Sequence, residues 1–63
     1  MDNQVYVYHE QLLSWEEIKE FPNGQLDEAM TYGYKLAYAD KKKKYAVLTE
    51  SGKFLKLNTV IIV

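Results

Sequence analysis

The side chains with chemistry to offer in this sequence are carboxylates, lysines, tyrosines and one histidine, and their spacing argues for binding rather than catalysis. Glu16, Glu17 and Glu20, with Glu10, Asp27 and Glu28 close in sequence, concentrate negative charge in the first half of the chain. Carboxylates do acid–base work when they converge on one point, and adjacent residues such as Glu16 and Glu17 or Asp27 and Glu28 do not converge on a helix. His9 has no second histidine and no cysteine to complete a metal site, and it sits at the end of an expected strand. Ser14 and Ser51 read as a helix cap and a turn residue, which leaves no Ser/His/Asp arrangement. Gly24, Gly33 and Gly52 fit no phosphate-binding loop. The expectation is a protein that is no enzyme and uses neither metal nor cofactor.

Charge is unevenly spread. The first thirty residues hold seven acids against Lys19, and the rest hold seven lysines against Asp40 and Glu50, giving balances of −6 and +5 within the overall −1. Such asymmetry points to a charged partner. The alternative is internal pairing of an acidic helix with a basic sheet edge, worth little in stability for exposed ion pairs. All eight basic residues are lysine, so the planar fork that reads guanine edges or clamps phosphate is missing.

These groups must be positioned by a small set of elements. The clearest is a β-hairpin from Tyr45 to Leu57, in which two β-prone runs flank Glu50-Ser51-Gly52. A three-residue loop closed by Thr49 and Lys53, with Gly52 at positive φ, sets Val47 opposite Leu55 and Tyr45 opposite Leu57 on one face. A two-residue turn would bring Lys56 beside Val47 and mix a charge into that face. Gln4 to His9 alternates Val5 and Val7 with Tyr6 and Tyr8 and reads as a strand. Ser14 and Glu17 form a capping box, with Leu13 and Ile18 as its hydrophobic staple, so a helix is predicted from Trp15 to the stop at Pro22.

Residues 25 to 40 support two patterns. Leu26, Ala29, Met30, Gly33, Leu36 and Ala37 form a helical stripe, whereas Tyr34, Leu36 and Tyr38 alternate with Lys35, Ala37 and Ala39. The favoured reading is a short helical turn near Leu26 to Met30, then a strand over about 32–40, followed by a turn through Asp40 and Lys41 to Lys44. The run Thr59 to Val63 is uncharged and β-prone, and is expected to pair with the first strand or with another copy of the chain as a homodimer.

The predicted fold is a single α+β domain over 1–63. It has a small antiparallel sheet, made of a three-stranded meander plus the N-terminal strand, packed against one capped α-helix. A chain of this length buries only about 60% of its unfolded surface and is marginal in stability. No cysteine is present to add a disulfide, no run reaches the roughly 20 apolar residues of a membrane span, and Met1 to Gln4 lacks a signal-peptide pattern. A cytoplasmic location is expected.

Two kinds of binding follow. The favoured one is an accessory module, a regulator or inhibitor, that docks on a protein with a basic groove such as a nucleic-acid enzyme. Its surface would comprise Glu16, Glu17, Glu20, Glu10, Asp27 and Glu28, with Tyr6 and Tyr8 as aromatic anchors. The alternative is single-stranded nucleic acid held by Lys41, Lys42, Lys43 and Lys44, with Tyr34, Tyr38 and Tyr45 for stacking. A structural homo-oligomer is the third reading. In size and style the chain resembles small accessory proteins that phages and plasmids encode to disarm host enzymes, some of which mimic DNA. The likeness carries no motif, so it assigns no residue.

Overall fold

The computed structural model describes residues 2–57. The elements run β1 (Asn3–His9), β2 (Ser14–Phe21), α1 (Leu26–Ala39), β3 (Lys44–Leu48) and β4 (Phe54–Leu57). The strands form one antiparallel sheet in the order β2-β1-β3-β4, with α1 packed on one face. The α+β architecture of a small antiparallel sheet and a single helix is as expected, but two segments exchange roles.

Ser14 to Phe21 is an edge strand rather than the helix its capping box suggested. Ser14 pairs with His9 and caps nothing, and the loop of residues 10–13 returns the chain directly along β1. Trp15, Ile18 and Phe21 have the three-residue spacing of one face of a helix, but here that spacing has a different origin. The register advances from Tyr6↔Glu17 to Val5↔Lys19, so Ile18 is an extra residue in β2 and forms a β-bulge. In an unbroken strand Trp15 and Phe21 would share a face. The bulge sends Trp15 outward beside Tyr8 and Phe21 inward against Tyr32 of α1.

Residues 26–39 take the helical option, not the strand expected over 32–40, so β3 pairs with β1 instead of with a meander strand. The deciding feature is the stripe Ala29, Gly33 and Ala37, which is buried and small enough to let the helix settle onto the sheet. A Cβ on Gly33 would collide with Leu57 Cδ1 and touch Val47 Cγ2. Close packing thus compensates a glycine that costs about 1 kcal/mol in helix propensity. No side chain caps the N-terminus, where Gln25 stands, although Asp27 and Glu28 occupy the first turn as the helix dipole favours. At the other end Asp40 N–H donates to Leu36 O at 2.9 Å, and Asp40 Oδ1 accepts the Lys42 N–H at 3.2 Å.

The β3–β4 hairpin has the predicted register, Val47↔Leu55 and Tyr45↔Leu57. Thr49 N–H donates to Lys53 O and Gly52 N–H to Thr49 O, both at 2.8 Å, and Gly52 lies at φ +89°. Val5, Val7, Tyr45, Val47 and Leu57 from the sheet and Ala29 and Ala37 from the helix make the core. Burial pushes the Tyr45 hydroxyl up from its ordinary value, assisted by the charges of Asp40 and Tyr32. The expected pairing of Thr59 to Val63 lies outside the described residues.

Candidate docking site

The acids singled out from the sequence do not form one surface. Glu17 pairs with Tyr6 and Glu20 with Gln4 on the outer face, away from α1, whereas Glu16 pairs with Val7 on the helix side. There the His9 imidazole donates from Nε2 to Glu16 Oε1. Glu10 is in the β1–β2 loop. Glu20 stands at the far end of β2 from that loop on the outer face, and Asp27 and Glu28 are in the first turn of α1 on the other side of the sheet. Among the described residues the ion pairs are His9–Glu16 and Asp40–Lys43, so these acids make no bridge to the lysine turn.

The outer face has an aromatic centre. Three cross-strand rows can be read from the register: Trp15, Tyr8, Lys44; then Glu17, Tyr6, Ala46, Lys56; then Glu20, Gln4, Leu48, Phe54. Trp15 and Phe54 stand at opposite corners of this grid, yet their rings meet edge to face at 5.2 Å. The sheet must therefore curl about that diagonal, as strongly twisted small sheets do. Ala46, in the row between them, is wholly buried although α1 lies on the other face. Tyr8 packs on Trp15 at 5.0 Å and Tyr6 on Phe54 at 5.9 Å, so both tyrosines are half-buried members of a second small core.

Side chains the sequence reading had not placed in the site project further. Leu12 and Leu13, at the tip of the β1–β2 hairpin, are 72% and 78% exposed. Leu13 also sits at φ +53°, while its N–H closes the turn onto Glu10 O at 3.3 Å. A leucine in the left-handed region costs about 1 kcal/mol or more, where glycine or asparagine would not. Neither burial nor hydrogen bonding of the side chain repays this. The signal was present in the sequence as two leucines between a strand end and Ser14, but it was absorbed by the supposed staple. Glu10 lies on this tip, Glu16 and Glu17 stand further along β2 on its two faces, and Lys42 and Lys43 flank the tip across a cavity of about 470 Å³.

Tyr34, Tyr38 and Tyr45 do not together share a surface with the lysine turn. Tyr45 is buried in the main core, and Tyr34 and Tyr38 lie on the exposed side of α1 with rings 6.5 Å apart. Lys41 to Lys43 form the α1–β3 turn, and Lys44 begins β3 with its ammonium 5.7 Å from the Tyr8 ring centre. Among the described residues no helix is long and apolar enough to cross a membrane. No family model, no curated protein and no solved structure matches the chain.

Proposed function

We propose that this chain is a protein-binding module, a regulator or inhibitor, whose recognition element is the tip of the β1–β2 hairpin. The observation that carries this reading is the pair Leu12 and Leu13, large apolar side chains held in water, with Leu13 on a left-handed backbone. Strain and exposure that the fold does not repay are characteristic of recognition elements. The two leucines fill an apolar pocket on the partner, while Glu10 at the tip, backed by Glu16 and Glu17 on the two faces of β2, meets a basic rim around it. Carboxylates at the rim raise the encounter rate more than the final affinity. Lys42 and Lys43 on the far side of the tip make the local field two-signed, which favours a protein over a uniform polyanion. A partner with a basic groove, including a nucleic-acid enzyme, fits this description.

The test starts with a partner captured on the immobilised chain and follows its association rate. Reversal of Glu10, Glu16 and Glu17 to Lys is expected to slow association by about tenfold or more at low salt, with the difference shrinking as salt rises. An association rate unchanged by the reversal contradicts the charged rim.

A further inference from the structure

The outer face carries a second feature that docking through the hairpin tip does not use. Lys44 on β3 and Lys56 on β4 occupy adjacent cross-strand rows of this face. With Tyr8, Trp15 and Tyr45 they line a cavity of about 260 Å³. Neither lysine has a carboxylate partner among the described residues. The two lysines stand diagonally across the β3–β4 pair, within reach of one another through their long side chains, and an anion placed between them offsets their repulsion. The Lys44 ammonium stands 5.7 Å from the centre of the Tyr8 ring, which is tilted at 59° to the Trp15 ring. The volume lies below the ~300 to 1,000 Å³ of pockets for drug-sized ligands, and suits a single ring with a small charged group.

We propose that this cavity binds a compact aromatic anion, one planar ring bearing a phosphate or carboxylate. The anionic group lies between Lys44 and Lys56, and the ring packs against Trp15 and Tyr8. Glu17 and Glu20 on the same face oppose a longer polyanion, so the site takes one charged group rather than a strand of them. This binding goes beyond docking by Leu12 and Leu13 and involves neither leucine.

Trp15 is the only tryptophan, so its fluorescence reports the cavity directly. Phenyl phosphate and benzoate are titrated into the full chain at low salt, with inorganic phosphate and phenol as the separated halves of the ligand. A saturable change in Trp15 emission with either aromatic anion is expected, with each half binding at least about tenfold more weakly. K44S/K56S is expected to weaken the aromatic anion by a similar factor. Both lysines are exposed, and K56Q alone gives a milder version of the comparison if the double variant melts early. No saturable change up to about 10 mM of either aromatic anion, or equal affinity in the lysine variants, overturns the site. Inorganic phosphate binding as tightly as phenyl phosphate overturns the role of the rings. A chain that fails this titration and still loses its protein partner on substitution of Leu12 and Leu13 separates the two proposals.

Discussion

Asn3 and Glu50 clasp each other through a closed pair of hydrogen bonds. Asn3 Nδ2 donates to Glu50 Oε1, and the Glu50 N–H donates back to Asn3 Oδ1, both at 2.8 Å. The same amide reaches Pro22 O at 3.2 Å, and Glu50 Oε1 also accepts the Gly24 N–H at 2.8 Å. One wholly buried side chain at the start of β1 thus ties the β3–β4 turn to the loop leading into α1. A buried amide needs such partners for nearly all of its donors and acceptors.

The clasp makes stability depend on acid. The Gly24 N–H, and after it the Asn3 amide, hold the Glu50 carboxyl below its ordinary range. A carboxyl depressed in the folded state contributes stability above its unfolded value, and that contribution fades as pH falls from about 4.5 through the lower folded value. Melting temperature measured across this range is expected to fall less steeply for Glu50→Gln than for the parent. An identical acid slope in the two proteins would show that the clasp is not the source.

Gly33→Ala sets helix propensity against packing. Alanine favours the helix by about 1 kcal/mol, but its methyl group meets Leu57 Cδ1. Overpacking of this kind costs roughly 1 to 3 kcal/mol, and Leu57 is itself buried and has little room to turn away, so a net loss of up to about 2 kcal/mol in urea melts is expected. A gain would mean that α1 stands further from the sheet than its small stripe implies.

Leu13→Gly should do the reverse. Glycine accepts φ +53° without the clash a leucine suffers, and the exposed side chain contributes little packing. After the extra entropy that glycine loses on folding, a gain of a few tenths to about 1 kcal/mol remains. A loss beyond about 0.5 kcal/mol would indicate that the tip leucine supports the fold itself.

Ser14→Ala distinguishes the strand from the helix over residues 14–21. Removing a helix cap costs about 1 kcal/mol, whereas an exposed residue opposite His9 in a hairpin should change stability by less than about 0.5 kcal/mol. A full cap-sized loss would contradict β2.

What could be read from the sequence follows from the range of each signal. The β3–β4 hairpin was legible because its loop chemistry is local: Gly52 supplies positive φ, and the pattern of Val47 and Leu55 fixes the register. The α+β class was legible from the same short-range patterns. The identity of the helix was not. A bulge at Ile18 gives a strand the spacing of a helical face, and nothing local to residues 14–21 announces it. In residues 26–39 the alternation of Tyr34, Leu36 and Tyr38 competed with the small stripe, and the stripe gains its energy only from tertiary contact with the sheet, at Gly33 with Leu57 and Val47. For the candidate site, the acidic residues were visible as charge, but their division between two faces and two ends of the sheet depends on β2 being a bulged strand. Leu12 and Leu13 stood out only once that strand left them at a tip.

Docking by that tip is tested most directly by the affinity of a captured partner for Leu12→Ser/Leu13→Ser, measured beside a melting curve of the same variant. Two exposed leucines that serve as anchors should each contribute about 1 to 2 kcal/mol of binding, so affinity is predicted to fall by about thirtyfold or more. The melting temperature should hold or rise, because the fold gains nothing from either side chain. Full affinity in the double variant, with the parent's melting behaviour, would contradict the account.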